Sequence, residues 1–186
     1  MEVSINANVF ARQRTQKLVE ETPGPVEHDP DGAASELVDA IEKHGRVEPE
    51  RVLPGNGAAE LIWLAVQSLS PRKVLCVGPI FSEFVRALRA FGIPCEIHTP
   101  PVETGFALGA EDLRKIWNTD ADLVILCTPN NTAGVTYDNI LGLLDVLRAP
   151  RVLIDNSYQE FLYGSPEYDD NRMHVYQRHL RPGVNL

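Results

Sequence analysis

The chain alternates between short segments that are apolar throughout and longer segments in which apolar residues recur every three or four positions. The first kind predicts buried strands and the second predicts helices. The predicted strands are Lys73–Val77, Cys95–Thr99, Leu123–Cys127 and Arg151–Ile154. The predicted helices are 34–41, Ala58–Leu69, Phe81–Phe91, Glu111–Trp117 and Asn139–Leu147. Gly45, Pro71 and Gly92 follow three of these helices at positions where helices typically end.

This order of elements predicts the fold class. Strands that are apolar throughout are buried on both faces, as in a parallel sheet covered by helices. Alternating strands and helices are typical of right-handed crossover units. The sequence therefore predicts an α/β fold, a three-layer sandwich with a mostly parallel, open sheet.

The domain organisation follows from the two ends of the chain. Residues 1–30 have little periodicity and contain the turn formers Pro23-Gly24-Pro25, which predicts an N-terminal arm. Residues 31–186 would form the sheet domain. The stretch from Gly164 is polar, and it ends on Val184-Asn185-Leu186, which resembles the start of a further strand. We therefore expect this domain to be incomplete.

Composition and charge narrow the class of protein. The chain has 186 residues, 44% of them hydrophobic, and it carries 26 acidic against 17 basic side chains, a formal charge of −9. This balance is typical of a folded globular protein and disfavours nucleic acid as a partner. The longest apolar stretch, Leu61 to Val66, is far shorter than the roughly 20 residues that cross a bilayer. No membrane partner is expected either.

The cysteines indicate the compartment. Cys76, Cys95 and Cys127 are far apart in the sequence, and each lies in an apolar segment. An odd set of buried thiols is typical of reduced cysteines in a cytoplasm. The first residues lack the basic and apolar regions of a signal peptide. We therefore expect a cytoplasmic protein.

Two polar clusters follow predicted strands, where ligands of open α/β sheets bind. The segment from Thr128 to Gly134 contains two adjacent amides, which either bond a ligand oxygen or belong to an ordinary turn. The segment from Asp155 to Tyr158 begins with a carboxylate at the end of an apolar strand. That carboxylate either pairs with a cation on a ligand or caps the next helix.

Two further positions could contact a ligand. The glycine loop Gly55-Asn56-Gly57 precedes a predicted helix, whose free N–H groups and positive dipole end suit a phosphate. The alternative is a plain glycine turn with Asn56 as the N-cap. Phe81 follows Gly78-Pro79 at the end of the first strand, and it is either part of the core or a face on which a flat ring stacks.

The order and spacing of these four features resemble the fold-type I pyridoxal-phosphate (PLP) enzymes of aminotransferase class I/II. The likeness is strongest to the histidinol-phosphate aminotransferases and the threonine-phosphate decarboxylases, and it runs from about Asn6 to Leu186. It implies PLP as the cofactor, a small amino acid as the substrate and a homodimer as the assembly.

The resemblance also implies which residues contact the cofactor. They are Gly57, Ala58, Ala59, Phe81, Asn131, Asp155 and Tyr158. The first three would hold the phosphate, chiefly through backbone N–H groups. The phenylalanine, where the family usually has tyrosine, would stack on the pyridine ring. The asparagine and the tyrosine would bond the phenolic oxygen, and the aspartate would pair with the protonated ring nitrogen.

The chain departs from the family pattern in three further motifs. Asn131-Thr132-Ala133-Gly134 stands where the family has Asn-Pro-Thr-Gly. Asp155-Asn156-Ser157-Tyr158 stands where it has Asp-Glu-Ala-Tyr. Asp29-Pro30-Asp31 stands where it has Tyr-Pro-Asp, so the phosphate contact of that tyrosine is not expected here.

The lysines limit what this chain does alone. In the family the Schiff-base lysine follows a serine on a segment that would come after Leu186. The chain's lysines are Lys17, Lys43, Lys73 and Lys115, and all precede Tyr158. We therefore expect the N-terminal and large-domain part of an aminotransferase, without a catalytic residue and inactive alone.

Three rival functions remain open. The first keeps the fold and changes the reaction to the decarboxylation of threonine phosphate. The second is a non-catalytic module that binds a phosphate ligand or a partner. The third, a nucleotide-binding domain, is disfavoured because the glycine loop lacks both the dinucleotide spacing and a Gly-Lys-Ser ending.

Overall fold

A computed structural model describes residues 31–45, 48–137 and 151–162. The predicted arm 1–30, the predicted helix Asn139–Leu147 and the polar stretch from Gly164 lie outside these ranges. The chain divides into two compact units, Met1–Ser35 and Glu36–Leu186. In the described end of the first unit, the Asp31 carboxylate accepts hydrogen bonds from the backbone N–H groups of Ala33 and Ser35, at 3.0 and 2.8 Å.

The described elements follow the predicted order. The helices are α1 (Ser35–Gly45), α2 (Ala58–Leu69), α3 (Ser82–Ala90) and α4 (Ala110–Trp117). The strands are β1 (Val74–Val77), β2 (Cys95–His98), β3 (Leu123–Cys127) and β4 (Val152–Asp155). Short 3₁₀ helices are Pro49–Arg51, Val102–Thr104 and Gln159–Leu162. All the predicted strands, and the predicted helices between residues 58 and 117, are confirmed to within one residue at each end.

The strands form one parallel sheet in the order β2-β1-β3-β4. Val74 of β1 is in register with Cys95 on one side and with Leu123 on the other, and Val124 of β3 is in register with Val152. All the described strand pairs are parallel, so the predicted α/β class with a mostly parallel sheet is confirmed.

The sheet is covered on both faces because its side chains alternate. Val74 and Cys76 of β1 pack with Ile62 and Val66 of α2 and with residues of α3. The intervening residues of β1 pack on the opposite face, in the cluster that contains Ile116 of α4. Helices on two faces of a sheet make the predicted three-layer sandwich.

The order of the strands also locates the switch point of the sheet. β2 lies on one side of β1, and β3 lies on the opposite side of β1, followed by β4. The connections from β1 and β3 therefore diverge. In open α/β sheets, ligands bind outside the carboxyl ends of the strands at such a switch point.

At the opposite, amino edge, Asp122 ties three segments together. Its carboxylate accepts hydrogen bonds from the backbone N–H groups of Arg72 and Lys73, which precede β1, at 3.0 to 3.1 Å. The Arg151 guanidinium, just before β4, pairs with the same carboxylate at 3.1 Å and also donates to the carbonyl oxygen of Leu69 at the end of α2. This network fixes the ends of α2, β1, β3 and β4.

We expect Asp122→Asn to destabilise the fold, and to do so less in acid. Partial burial opposes ionisation of Asp122, but the N–H groups of Lys73 and Arg72 and the charge of Arg151 outweigh it and lower the pKa of the carboxyl. Its contribution is therefore present above the unfolded pKa of about 4 and is lost as the pH falls through the lower folded value. Bonds to a charged group contribute about 1.5–3 kcal/mol each to the free energy of unfolding.

Urea denaturation at pH 7 and at pH 3 measures this effect. The free energy of unfolding of Asp122→Asn should fall short of the wild-type value at pH 7, and the gap should narrow at pH 3. A gap of equal size at both pH values would contradict an ionic role for Asp122.

Candidate functional site

Loops that follow β1, β3 and β4 meet at the carboxyl edge of the sheet. Gly78 follows β1, Thr128 follows β3, and Asp155 is the last residue of β4. The backbone N–H of Thr128 donates to the carbonyl oxygen of Asp155 at 2.9 Å. The loops that carry Phe81, Asn131 and Tyr158 therefore begin at one edge, as predicted from their places in the sequence.

Phe81 is a large apolar side chain left exposed at this edge. It directly precedes α3, and 43% of its surface is accessible. The helix places Phe84, three residues further on, in the core with 1% exposure. The interpretation of Phe81 as ordinary core is therefore wrong. Its exposed ring offers the face that stacking requires.

Asp155 is half-buried and surrounded by neutral donors. Its Oδ1 accepts bonds from the backbone N–H of Ser157 at 3.0 Å and from the Ser157 hydroxyl at 2.5 Å. Its Oδ2 accepts a bond from the Cys127 thiol at 3.5 Å. The Ser157 N–H precedes the 3₁₀ helix Gln159–Leu162, so this bond forms a local turn and not a helix cap. The described partners carry no positive charge, so a cation on a ligand could still pair with this carboxylate.

Cys127 connects Asp155 with Phe81. Burial, together with the nearby charge of Asp155, raises the pKa of the Cys127 thiol to about 12, although a bond from the backbone N–H of Phe81 opposes the rise. The thiol is therefore protonated near neutral pH and donates to the carboxylate. The sequence indicated Cys127 only as a buried thiol in an apolar segment and gave it no part in the site.

The two adjacent asparagines after β3 lie in different surroundings. Asn130 is 1% exposed, and its side chain bonds to the backbone of Pro79, Thr132 and Ala133. Asn131 is exposed. The ordinary turn and the ligand contact are therefore both compatible with this segment, since one amide builds the turn and the other projects from it. Nothing in the sequence distinguishes these two roles.

The loop before α2 leaves backbone donors at the start of that helix. Gly57 is the N-cap, with a φ of +83° that favours glycine, and no side chain caps the helix. The interpretation of Asn56 as the N-cap is wrong: its backbone N–H and side-chain amide donate to the Glu60 carboxylate, at 2.5 and 3.1 Å. The first-turn N–H groups of Ala58 and Ala59 have no partner within the helix.

The direction of α2 places these donors towards the carboxyl edge. Its C-terminal residue Leu69 accepts a bond from Arg151, which precedes β4 at the amino edge. Ile62 and Val66 of the same helix pack on the sheet. The N-terminus of α2 therefore points towards the edge where Phe81 and Asp155 lie.

Tyr158 lies in the turn that follows β4. It is half-buried, and its ring packs against that of Phe161, with centroids 5.5 Å apart and planes inclined by 44°. The described contacts therefore link Phe81 to Asp155 through Cys127, and Pro79 to the Asn131 turn through Asn130. They do not link Tyr158 to Asp155 or to Asn131.

Three lysines are described: Lys43 is exposed on α1, and Lys73 and Lys115 pair with acidic side chains away from this edge. Lys73 stands at the amino edge, where its Nζ pairs with Asp120 and lies 3.8 Å from Glu96. Lys115 is on α4, with its Nζ 3.4 Å from Glu111. Lys73 and Lys115 are thus charges at the protein surface. Within 31–45, 48–137 and 151–162, no helix is long and apolar enough to span a membrane, and no cluster suits a metal ion.

Comparison with known proteins identifies the family. The profile of the family "Aminotransferase class I and II" matches residues 16–184. The chain is 33% identical over 142 residues to the threonine-phosphate decarboxylase of Salmonella typhimurium, covering 74% of this chain and 38% of that protein. It is 33% identical over 139 residues to a histidinol-phosphate aminotransferase of Desulfitobacterium hafniense, covering 71% and 39%. The chain therefore belongs to the class I and II aminotransferase family.

Solved structures agree on the fold. A decarboxylase from Sulfurospirillum multivorans superimposes with a TM-score of 0.71 at 23% identity, over 99% of this chain and 52% of that one. The histidinol-phosphate aminotransferase from Sinorhizobium meliloti, solved in complex with pyridoxal-5'-phosphate, gives a TM-score of 0.64 at 16% identity. The chain thus spans about two fifths to one half of the length of these relatives. PLP is the cofactor of the family.

The residues at the carboxyl edge fit this cofactor. Its phosphate needs N–H donors, which the first turn of α2 supplies beside a glycine where an added Cβ would meet nothing within 4 Å. Its ring needs an apolar face, and Phe81 is exposed. Its ring nitrogen, when protonated, needs a carboxylate, and the described partners of Asp155 are neutral.

Proposed function

We propose that this chain binds PLP at the carboxyl edge of its sheet. The whole enzyme would transfer an amino group between a small amino acid, phosphorylated ones included, and a 2-oxo acid. The observation that carries the proposal is Asp155, a half-buried carboxylate with neutral described partners, at the same edge as the exposed ring of Phe81. Such a carboxylate is suited to a cationic ring nitrogen.

Each proposed contact has a chemical purpose. Bound PLP supplies an electron sink for the substrate's reacting carbon. Asp155 keeps a proton on the ring nitrogen, because its negative charge stabilises the charged form. Asn131 and Tyr158 donate hydrogen bonds to the phenolic oxygen, and Phe81 orients the ring by stacking. Gly57, Ala58 and Ala59 hold the phosphate at the N-terminus of α2.

A titration of the chain with PLP tests this proposal. We expect saturable binding that gives the cofactor an induced circular dichroism signal. Reduction with borohydride and measurement of the intact mass should then reveal no stoichiometric adduct, because Lys73 and Lys115 pair with acidic side chains away from the carboxyl edge and Lys43 is exposed on α1. The absence of saturable binding would contradict the proposal and favour the non-catalytic module.

Decarboxylation of a phosphorylated amino acid is a second candidate. Two of the similar proteins support it: the threonine-phosphate decarboxylase above, and the L-serine phosphate decarboxylase of Sulfurospirillum multivorans, at 32% identity over 123 residues. With threonine phosphate as the substrate, release of carbon dioxide distinguishes this reaction from transfer of the amino group to an added 2-oxo acid.

We propose a homodimer as the assembly and the cytoplasm as the location. Exposed apolar side chains, among them Leu53 at 67% and Phe161 at 74%, support a surface that a second copy covers. The free thiols of Cys76, Cys95 and Cys127 support a reducing compartment. Sedimentation velocity tests the assembly, and a stable monomer would contradict it.

We expect Phe81→Ala to weaken PLP binding by about 2- to 10-fold, because aromatic pairs contribute about 0.5–1.5 kcal/mol beyond the area they bury. Phe81→Tyr keeps the ring and should bind PLP as the wild type does. Phe91→Ala is the matched control, since Phe91 is 42% exposed at the other end of α3 and packs on Trp63. Equal dissociation constants for the two alanine variants would contradict a stacking role for Phe81.

A further inference from the structure

We propose that Asn130 is a positioning residue that fastens the loop after β1 to the loop after β3, and so sets Phe81 and Asn131 relative to each other. This inference rests on the proposed PLP site. The two loops flank the switch point of the sheet, and each carries one residue of that site. The sequence offered both adjacent amides as ligand contacts or turn formers, and the resemblance to the family named Asn131 alone.

The bond between the loops is the first part of the argument. The Asn130 Nδ2 group donates to the carbonyl oxygen of Pro79 at 2.7 Å, which joins residues 51 positions apart in the sequence. Pro79 lies two residues before Phe81, in the turn that leads from β1 into α3. The Asn130 amide therefore holds the backbone that presents the exposed ring.

The turn that presents Asn131 is the second part. The Asn130 Oδ1 atom accepts bonds from the backbone N–H groups of Thr132 and Ala133, both at 3.0 Å. The Asn130 backbone adds a bond to the carbonyl oxygen of Val135 at 2.7 Å and accepts one from the Gly134 N–H at 2.8 Å. These bonds close the turn on both sides of Asn131, whose own side chain remains exposed.

Thr132 contributes to this arrangement through its backbone N–H. A proline at position 132 would have no N–H to donate. The backbone N–H of Thr132 does donate to the Asn130 Oδ1 atom. This hydrogen bond restrains the turn in place of a proline ring. Asn130 is 1% exposed, and both atoms of its amide are bonded, which leaves it no direct contact with a ligand.

The Asn130→Asp variant isolates the bond between the loops. The carboxylate has the shape of the amide and still accepts from Thr132 and Ala133, but at pH 8 it cannot donate to the Pro79 oxygen. Asn118→Asp is the matched control, because it makes the same chemical change at an exposed position that ends α4. If Asn130→Asp does not fold, Asn130→Ser, which is smaller and uncharged, takes its place.

Two measurements on the full 186-residue chain test the inference. The first is hydrogen exchange of the peptide 78–84, which should be about tenfold faster in Asn130→Asp, as expected when a buried hydrogen bond is lost. The second is a PLP titration, in which the dissociation constant should rise about tenfold and the induced circular dichroism should change. Asn118→Asp should match the wild type in both.

Each contrary outcome has a separate meaning. Wild-type exchange of the peptide 78–84 in Asn130→Asp would overturn the link between the loops. Faster exchange together with an unchanged dissociation constant for PLP would overturn the positioning role. If the wild-type chain itself gives no saturable PLP binding, the proposed function fails, while the exchange measurement still decides whether Asn130 joins the two loops.

Discussion

Replacing Asp155 with asparagine should weaken the binding of PLP by about 10- to 100-fold, since a hydrogen bond to a charged group contributes about 1.5–3 kcal/mol. The substitution keeps the shape of the side chain and an oxygen that accepts from the Ser157 N–H and hydroxyl. It removes the negative charge that we propose for the ring nitrogen. The substitution should therefore reduce the affinity for PLP more than it reduces the free energy of unfolding.

A PLP titration at pH 7.5 measures this effect, and Asp120→Asn is the matched control. Asp120 is an exposed aspartate at the amino edge, where it pairs with Lys73. The same neutralisation there should leave the dissociation constant of PLP unchanged. If Asp155→Asn bound PLP as tightly as Asp120→Asn does, the assignment of Asp155 to the ring nitrogen would be wrong.

The largest effect on stability is expected at Phe84. Its ring is 1% exposed, in the cluster of α2, α3 and one face of the sheet. Phe84→Ala removes most of that buried surface and leaves a cavity, which costs about 3–5 kcal/mol in comparable cores. A domain with a total stability of about 5–15 kcal/mol could lose most of its folded population through such a change.

Urea denaturation followed by far-ultraviolet circular dichroism measures this loss. Phe91→Ala is the control, since it makes the same substitution at the C-cap of α3, where the ring is 42% exposed. Its free energy of unfolding should change by much less. Similar losses in the two variants would mean that α3 does not pack as the structure describes.

The fold could be predicted from the sequence because the pattern of apolar and polar positions indicates which segments are buried. Segments such as Leu123–Cys127 are apolar at every position, and each of these residues is buried in the structure. A strand covered on both faces requires apolar residues at every position. The end of α3 was predictable from its glycine, since Gly92, which follows the C-cap Phe91, has a φ of +67° that disfavours most residues.

The site could be predicted only in part. The resemblance to a family indicated Asp155 and Phe81, and the structure places both at the carboxyl edge. Their link through Cys127 depends on the register of β3 against β4, which pairs Cys127 with Asp155. No local pattern encodes that register. The seven cofactor contacts remain predictions that the proposed titrations test.

The difference between Asn130 and Asn131 shows why local chemistry was insufficient. Both are asparagines in a turn, and each could bond a ligand. The carbonyl oxygen of Pro79 decides between them, and it belongs to a loop 51 residues earlier. Likewise, asparagine is a common N-cap residue, but the N–H groups of Asn56 donate to the Glu60 carboxylate. Gly57 is the N-cap instead.

The parallel sheet also determines when the site can form during folding. Each described strand pair joins residues well separated in sequence, and the central pair, Val74 with Leu123, is the most distant of them. Contacts of this kind form slowly, because a long loop must close before they bring any stabilisation. The site straddles this central pair. Competence to bind PLP should therefore appear late in refolding, after the helices, and its recovery would report the completion of the sheet.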